Sequence, residues 1–488
     1  MAEKEERSKI EEEKIEEELV EDGSLAELFV IMPDGSTKKR GELGKEHADI
    51  EMAIKAELKE VKESSMGCPP HIKLAKHLEI AEPELRVSDS GNYRYYPAGQ
   101  LIAELLSDLG RKMALEDLGA MEVRTPYIIN PDQENVKAMM GKFPERLYRV
   151  LPGSKEKKQE FRLRPACDYG VWSIFKDAVI SYKNLPLGLY ENDLIWRYEQ
   201  RGEVLGLYRL RHATMPNLHS MCADMNQAFE EFERHIDKFA MALYKYLDMV
   251  PSAIILNCKH DFYDAHNNIF KKWAKDLKIP IIIKLFTVMK TYKAAWIDVI
   301  AFDNLGRPME VDTVQLDTES AAWWGIGYIN DKGEKTTPLF LHTGFGIERT
   351  IAAILENAAG LEKKGKQPMF PLWLSPVQLR IIPISQEQLD YCKKLLGKFD
   401  EVRVDLDDSN ESLGKKIRNA EKSWIPYIAV VGKKEIESGK LAVRARNGGQ
   451  LELSTEEMIS KIKNQTKGMP YLPLLMPKLL SKRPIFVG

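Results

Sequence analysis

The chain has 488 residues, of which 44% are hydrophobic and 30% are charged, and its formal net charge is −3. This length predicts two to four domains, and the composition is that of an ordinary globular protein. The nearly balanced charge excludes a basic surface over the whole protein, so any nucleic acid contact must come from local basic patches.

The five cysteines are scattered and form no CxxC pair, which argues against a disulfide scaffold. Residues 1–22 are rich in Glu and Lys, unlike a signal peptide, and are predicted to be a solvated leader. The longest apolar stretch, 279–289, is too short to span a bilayer and contains Lys284. These features predict a cytoplasmic protein with no membrane segment.

The region up to residue 70 continues with a hairpin and a helix. Apolar residues on either side of Pro33, Asp34 and Gly35 predict the hairpin, and the spacing over 46–65 predicts the helix. We therefore expect residues 1–70 to comprise an acidic leader, a small hairpin and a linker helix.

Residues 71–365 mix long helices with β-rich segments. Apolar spacing predicts helices over 100–120 and 226–248. Successive strands are predicted further on, with few helices between them, at 279–289, 294–303, 308–317 and 338–344. This order predicts an α+β domain in which an antiparallel sheet is flanked by helices.

The pattern changes after a segment rich in Pro, Gly and Lys, 361–373, which is typical of a linker. Strand and helix then alternate, which predicts a small α/β domain over 370–465 with a mostly parallel sheet. The Pro- and Leu-rich tail, 466–488, is expected to pack on a neighbouring surface.

Charged residues alternate between 197 and 211 around a glycine-containing turn. Arg197 and Glu199 can share one face of a strand, and Arg209 and Arg211 can do the same on the returning strand. Such an array could bind a polyphosphate. The alternative is cross-strand Arg–Glu pairing on an exposed sheet, which contributes little.

Other candidate ligands are spread along the chain. Gly344 and Gly346 precede a helix whose first turn carries Arg349, a pattern also common in ordinary helix caps. Cys167, His219 and His342 are residue types that suit zinc, but their spacing alone indicates no site. A buried structural role is the alternative for each of these three.

Five segments together resemble a known family. Residues 119–128, 185–222 and 344–356 resemble motifs 1, 2 and 3 of the class II aminoacyl-tRNA synthetases, in the threonyl-tRNA synthetase form. Residues 311–317 resemble the family's GTVQLDF-like segment, and 370–446 resembles the class IIa anticodon-binding domain. The resemblance covers about residues 71–465 and implies ATP-dependent activation of L-threonine and its transfer to tRNA(Thr).

The resemblance also implies roles for individual residues. It places Arg197 on the α-phosphate of ATP, Glu199 on the adenine amine, and Arg209 and Arg349 on the far phosphates. Mg²⁺ would bridge the phosphates, with Glu310 as a ligand or a partner of one, and Thr313 and Gln315 would line the adenylate. Asn217 stands where an aspartate commonly binds the threonine hydroxyl, and Ala213 where an aromatic residue stacks on adenine, so His212 is the expected substitute.

Cys167, His219 and His342 match the family's ligands for one zinc ion per chain, with Cys222 as the alternative to His342. The zinc would bind the amino and hydroxyl groups of threonine, which excludes valine but not serine. Glu435 and Arg444 match positions that read anticodon bases, with Lys433, Lys434, Lys440 and Arg446 as a nearby basic patch.

The resemblance implies a homodimer, shaped by the proline of motif 1. No editing domain is recognised before residue 71, so we expect serine mischarging unless a separate deacylase acts in trans. Two other interpretations are a synthetase for proline, histidine or glycine, and a non-catalytic paralogue that binds tRNA. The zinc ligand set favours threonine, and the presence of both Arg197 and Arg349 argues against the paralogue.

Overall fold

A computed structural model describes residues 23–61, 67–140, 146–153, 159–200, 202–289 and 291–486. The predicted acidic leader, 1–22, lies outside the described residues. The chain divides into two compact units. Unit 1 holds the chain as far as Cys68 together with Gly110–Ala353, and unit 2 holds Pro69–Leu109 and the chain from Ile354 onward.

The strands of the described residues are, in chain order, β1 (Gly23–Ile31), β2 (Thr37–Lys39), β3 (Ala81–Pro83), β4 (Tyr93–Tyr95), β5 (Met121–Glu122), β6 (Ile128–Ile129), β7 (Arg149–Val150), β8 (Phe161–Leu163), β9 (Leu187–Trp196), β10 (His212–Cys222), β11 (Ala253–Lys259), β12 (Ile281–Met289), β13 (Lys293–Phe302), β14 (Pro308–Asp317), β15 (Tyr328–Ile329), β16 (Lys335–Thr336), β17 (Leu339–Phe345), β18 (Leu379–Pro383), β19 (Val404–Leu406), β20 (Tyr427–Val431), β21 (Lys440–Ala445) and β22 (Gln450–Ser454).

The α-helices are α1 (Ala48–Glu57), α2 (Pro70–His77), α3 (Pro97–Lys112), α4 (Glu134–Met140), α5 (Asp168–Asp177), α6 (Met225–His235), α7 (Met241–Tyr246), α8 (His260–Leu277), α9 (Ser320–Trp324), α10 (Ile347–Lys363), α11 (Leu389–Leu396), α12 (Leu413–Lys422), α13 (Lys433–Ser438) and α14 (Thr455–Gln465). Two π-helical segments, Met113–Asp117 and Ile236–Ala240, continue α3 and join α6 to α7. No helix in the described part of the chain combines the length and apolar character needed to cross a membrane.

Unit 1 is built on a ten-stranded sheet in the order β2-β1-β12-β11-β13-β14-β17-β10-β9-β5. Neighbouring strands are antiparallel except for the pairs β11–β12 and β5–β9. The parallel β11–β12 pair needs a crossover, and α8 supplies it. The predicted antiparallel sheet flanked by helices is therefore confirmed.

The N-terminal hairpin forms one edge of this sheet. β1 pairs with β12 in antiparallel register, from Gly23 opposite Met289 to Ile31 opposite Ile281. α1 then packs its apolar side on the same sheet, burying Ile50, Ala53 and Ile54 against residues of β11 and β12. The sequence alone indicated the hairpin but not the sheet that it joins.

A buried aromatic cluster supports the other half of the sheet. Trp172 of α5 is fully buried and stacks on Phe340 of β17, with ring centroids 4.1 Å apart. The same indole lies edge-on to His219 at 5.1 Å and to His342 at 5.0 Å. Close packing of this kind holds side chains in single rotamers, so the two histidines are held rigidly.

Unit 2 contains a five-stranded sheet in the order β19-β18-β20-β21-β22. β19, β18 and β20 are parallel, whereas β21 and β22 are antiparallel additions, so the sheet is mixed. The C-terminal tail runs along β19, where the Leu406 N–H donates to the Lys478 carbonyl oxygen at 2.8 Å. The tail thus packs on a neighbouring surface as predicted.

Candidate active site

One cavity of about 400 Å³ in unit 1 collects most of the predicted site residues. Its floor is the face of the sheet formed by β10, β13, β14 and β17. Alternation along β10 brings Ala213, Met215 and Asn217 into the lining. The lining therefore takes in the first half of β10, from His212 to Asn217.

Arg197, Glu199 and Arg209 line one end of the cavity. They lie in the connection between β9 and β10, because β9 ends at Trp196 and β10 begins at His212. The Arg197 N–H donates to the Arg211 carbonyl oxygen at 3.0 Å, so the backbone continues the pairing for one residue beyond the strands. Glu199 and Arg209 lie beyond this extension. The prediction that the four charged residues belong to the two strands is therefore wrong.

Glu199 is buried beneath two guanidinium groups. Arg146 Nη1 lies 3.0 Å from Glu199 Oε2, and Arg209 Nε donates to the same oxygen at 3.0 Å. These charge-assisted bonds fix the carboxylate inside the cavity. The sequence analysis did not identify Arg146 as a partner of Glu199.

Arg197 and Arg349 extend this cationic end. Arg197 Nε donates to the Pro165 carbonyl oxygen at 3.0 Å, and burial together with the charge of Arg349 lowers the pKa of its guanidinium. Arg349, in the first turn of α10, donates from Nε to the Tyr208 carbonyl oxygen and from Nη1 to that of Glu310, both at 3.1 Å. Backbone acceptors therefore orient both guanidinium groups.

The region expected to hold adenine is lined by His212, Ala213 and Tyr208. Burial lowers the pKa of His212, which favours its neutral imidazole. Tyr208 lies beneath Arg349, whose Cζ is 5.4 Å from the centre of the phenol ring. His212 and Tyr208 are thus two aromatic residues in the same cavity lining as Ala213, and Tyr208 was not predicted.

The acidic and amide residues of the cavity lie on β13 and β14. Thr313 Oγ1 donates to the Ile297 carbonyl oxygen at 3.0 Å and accepts from Gln315 Nε2 at 3.2 Å. Opposite Thr313 lies Asp298, which also lines the cavity and accepts from Trp296 Nε1 at 3.0 Å. Burial and the nearby charge of Glu310 raise the pKa of Asp298 to about 8. Sequence reasoning found Glu310 but missed Asp298.

A three-residue cluster of potential metal ligands marks the other end of the cavity. Asp168, His219 and His342 bring their ligand atoms within 4.8 Å of one another. Asp168 Oδ1 lies 3.0 Å from His219 Nε2 and 2.7 Å from His342 Nδ1. The two histidines face each other directly across the β10–β17 pair.

The third member of this cluster is Asp168 and not the predicted Cys167. Cys167 occupies the cap position before α5, and Asp168 is the first residue of that helix. Of these two neighbours, Asp168 is the one that brings a ligand atom to the two histidines. Cys167 and Cys222 are buried thiols outside the cluster, and burial raises the pKa of each.

Electrostatics within the cluster favour an ionised carboxylate. Burial opposes ionisation, yet hydrogen bonds from His219 and His342 hold the pKa of Asp168 well below its usual range. Burial likewise lowers the pKa of His342, but its hydrogen bonds to Asp168 and Asp317 raise the net value to about 9. Burial is the larger effect on His219 and lowers its pKa.

Asp317 and Tyr292 surround this end of the cavity. Asp317 Oδ2 lies 2.9 Å from His342 Nε2, an arrangement that fixes the orientation of the imidazole. Tyr292 lies next to His342, with ring centroids 5.9 Å apart. Asn217 pairs with Gly344, and a Cβ on that glycine would lie 2.9 Å from the Pro216 carbonyl oxygen. Only glycine permits this close approach.

The predicted anticodon residues lie in unit 2. Glu435 is in the first turn of α13, and its Oε2 accepts from the Gly432 N–H at 2.8 Å. Arg444 is exposed on β21, with its Nη2 3.4 Å from Glu421 Oε1. The Lys433 and Lys434 side chains are also exposed. Arg446 instead donates to the Pro368 carbonyl oxygen and is half-buried.

Two family models match the chain. Residues 148–358 match the tRNA synthetase class II core domain (G, H, P, S and T), and residues 378–465 match the anticodon binding domain. The chain is 42% identical to a threonine–tRNA ligase of Pyrococcus furiosus over 86% of its own length and 67% of the relative's. It is 37% identical to that of Methanosphaera stadtmanae over 94% of its own length and 74% of the relative's.

Solved structures support the fold. The RNA binding domain of threonyl-tRNA synthetase from Cryptosporidium parvum Iowa II superposes with a TM-score of 0.69, at 24% identity, covering 82% of this chain and 99% of that one. A prolyl-tRNA synthetase from Cryptosporidium parvum gives a TM-score of 0.63, at 18% identity, covering 81% and 76%. At these identities the likeness concerns the fold alone.

Proposed function

Because the chain belongs to the threonine–tRNA ligase family, we propose that it activates L-threonine with ATP and transfers the threonyl group to the 3′ end of tRNA(Thr). The observation that carries this proposal is one shared cavity. Arg197, Arg209 and Arg349 line it together with Asp168 and His342, two of the three members of the metal-ligand cluster. A triphosphate and a small amino acid can therefore meet between them.

The arginines bind and polarise ATP. Arg197 holds the α-phosphate, while Arg209 and Arg349 hold the far phosphates, and planar guanidinium groups suit phosphate oxygens. Glu199 accepts a hydrogen bond from the adenine amine, since Arg146 and Arg209 already compensate its charge. Thr313 and Gln315 line the adenylate on the floor of the cavity.

The first reaction needs no nucleophile from the protein. A carboxylate oxygen of threonine attacks the α-phosphorus, the bond from that phosphorus to the bridging oxygen breaks, and pyrophosphate leaves. Arg197 stabilises the charge that develops on the α-phosphate oxygens, and the fixed guanidinium needs little reorganisation. In the second reaction, a terminal ribose hydroxyl of tRNA attacks the threonyl carbonyl and AMP leaves.

Glu310 is proposed to contact the Mg²⁺ that accompanies ATP. Asp298 is the second carboxylate on this part of the cavity floor, and its raised pKa reflects its burial near Glu310. Hard oxygen ligands of this kind suit Mg²⁺, which keeps several waters and bridges phosphates. Binding of the ion would relieve the repulsion between the two carboxylates.

Asp168, His219 and His342 are proposed to hold one zinc ion. One carboxylate and two imidazoles are a donor set that catalytic zinc sites use, with a position left for substrate. Asp317 orients His342 from behind, as outer carboxylates do at such sites. When bound, the ion would take the amino and hydroxyl groups of threonine as ligands, which distinguishes threonine from valine. Asn217 and Tyr292 complete the walls around that position.

We propose that the anticodon-binding unit reads tRNA(Thr) through Arg444 and Glu435. Replacing Arg444 by alanine is expected to lower kcat/KM for tRNA by about 5- to 150-fold, the range for losing one base contact. Threonine-dependent ATP–pyrophosphate exchange should not change, because it needs no tRNA. Lys398→Ala in the same unit is the matched control. A loss of exchange in the Arg444 variant would contradict this role.

The purified 488-residue chain is expected to attach serine to tRNA(Thr) and to leave the product intact. Serine retains the amino and hydroxyl groups of threonine, and one methyl group gives only modest selectivity. The two family matches are to a class II synthetase core domain and an anticodon-binding domain. Release of serine from seryl-tRNA(Thr) would be measured beside threonyl-tRNA(Thr). Rapid hydrolysis of seryl-tRNA(Thr) by this chain alone would contradict the prediction that it does not edit in cis. A separate deacylase added in trans is expected to hydrolyse seryl-tRNA(Thr).

We also propose a cytoplasmic homodimer. β5 forms an outer strand of the ten-stranded sheet and is short. Met121 on this strand and Ile128 beyond it are each 51% exposed, so both offer apolar surface that a partner subunit would cover. Light scattering of the purified chain tests the dimer.

One panel tests the function as a whole. Amino-acid-dependent ATP–pyrophosphate exchange would be compared for threonine, serine, proline and histidine. Exchange that is greatest with threonine supports the proposal. Greatest exchange with proline or histidine would favour another synthetase of the same class, and no exchange with any of them would favour the non-catalytic tRNA-binding alternative.

A further inference from the structure

Trp323 stands at the rim of the cavity, beyond the metal-ligand cluster. It lies on the short helix α9, whose Ala321 and Trp324 are buried at 2% and 6% exposure. Trp323 points the other way, lines the cavity and is 40% exposed. None of the roles proposed above uses this large aromatic surface.

The helix that carries Trp323 is bonded to the cluster itself. Asp317 Oδ1 accepts from the N–H groups of Glu319 and Ser320, both at 2.9 Å, while its Oδ2 lies 2.9 Å from His342 Nε2. At the other end of α9, Lys176 Nζ donates to the carbonyl oxygens of Trp324 and Gly325 at 2.7 and 3.1 Å. Trp323 is therefore held in a fixed position relative to the cluster.

A chain of rings leads from the cluster to the rim. Tyr292 lies 5.9 Å from His342 between ring centroids, and Trp323 lies 6.3 Å from Tyr292 at an interplanar angle of 77°. Tyr292 thus contacts the indole through an edge-to-face arrangement. This geometry leaves the indole on the outer side of the amino-acid end of the cavity, where a ligand entering from solvent would meet it.

The geometry points to a stacking platform for a nucleobase, and we propose that the terminal adenine of tRNA stacks on Trp323 during transfer. This inference rests on the proposed function, because transfer requires the single-stranded 3′ end to reach the amino-acid end of the cavity. Aromatic side chains are the usual partners of unstacked bases in single strands. The bond to Asp317 would set the base, and hence its ribose, at a fixed distance from the bound amino acid.

The other substrates fit this position less well. The adenine of ATP belongs to the end of the cavity marked by Glu199 and Arg209, at the opposite end of β10 from His219. Threonine lies between the cluster and the arginines, and its short side chain offers no flat surface to an indole. A base at the incoming single-stranded end of tRNA is the ligand that suits both the indole ring of Trp323 and its position at the rim of the cavity.

Trp323→Ala is expected to affect amino acid activation and transfer to tRNA differently. Threonine-dependent pyrophosphate exchange is expected to stay within about twofold of the wild type. Single-turnover transfer from preformed threonyl-adenylate is expected to fall at least about tenfold, because loss of one base–aromatic stack has an effect of that size. Trp323→Phe should keep most of the transfer rate. Tyr182→Ala is the control, since Tyr182 is 44% exposed in the same unit and does not line the cavity.

A binding comparison tests the platform independently of catalysis. The affinity of each variant is measured for tRNA(Thr) with and without its terminal adenosine. The wild type and Trp323→Phe should bind the complete tRNA more tightly, whereas Trp323→Ala should bind both alike. Both RNAs are measured on the same protein, so partial unfolding of a variant cancels.

Two results would overturn the inference. The first is unchanged transfer and unchanged preference for the complete tRNA in Trp323→Ala. The second is an equal loss of exchange and transfer, which would assign the ring to the first reaction. A wild-type chain that shows no exchange with threonine would refute the proposed function instead, and the binding comparison would still decide whether the adenine stacks.

Discussion

Replacing Arg197 by alanine is expected to slow threonine-dependent ATP–pyrophosphate exchange by about 1,000-fold. Arg197 lines the cavity, and its Nε is already fixed by the Pro165 carbonyl oxygen. Losing one preorganised donor to a developing anion typically lowers kcat by about 10²–10³-fold, and here a full positive charge is lost as well. The measurement is exchange at saturating ATP and threonine.

Two variants make this prediction specific. Arg197→Lys keeps the charge but not the planar fork, so we expect it to recover only a small part of the rate. Arg124→Ala removes an arginine with a side chain that is 79% exposed and does not line the cavity, and it should leave exchange unchanged. Exchange within tenfold of the wild type in a folded Arg197→Ala protein would contradict the proposed role of this residue.

Replacing Asp168 by alanine is expected to abolish binding of the proposed zinc ion and to lower threonine activation by at least about 100-fold. Asp168 provides a carboxylate that contacts both histidines. Mutation of residues that merely orient metal ligands already costs about 10- to 100-fold in affinity or activity, so loss of a ligand should cost more. Metal content per chain after dialysis and threonine-dependent exchange are the two measurements.

The neighbouring cysteine gives the matched control. Cys167→Ala removes the residue that the family pattern indicated, yet Cys167 is outside the cluster, so zinc content and exchange should stay near wild type. Asp168→Cys restores a side chain that binds zinc and should retain part of the metal. Loss of zinc in Cys167→Ala with retention in Asp168→Ala would assign the third ligand to Cys167 instead of Asp168. Absence of zinc from the wild-type protein would refute the zinc site altogether.

Residues with a local signature could be identified from the sequence. Arg349 was predicted in the first turn of a helix that follows a glycine turn, and it lies there in α10. The strand predicted over 308–317 has those bounds as β14, because alternating side chains specify one face of a sheet. The long amphipathic helices and the two family regions were also readable, since each depends on neighbours in the chain.

The metal-ligand cluster depended on the tertiary structure. His219 and His342 are 123 positions apart and meet because β10 pairs with β17 in one register, which no local pattern expresses. The start of α5 decides which of two adjacent side chains, Cys167 or Asp168, faces them. Family resemblance could match positions but not that orientation.

Three residues that surround the site show the same difference between what the sequence reveals and what the structure reveals. Asp298, Asp317 and Trp323 have no sequence signature that separates them from other residues of strands and short helices. Their importance comes from what lies opposite them: Thr313 across β13 and β14, His342 behind the cluster, and the open rim of the cavity. The sequence, through its family resemblance, thus indicated the reaction class and the candidate arginines and Glu199, but not Asp168. The geometry that joins those groups was decided only by strand register and packing, because both arise from contacts between distant parts of the chain.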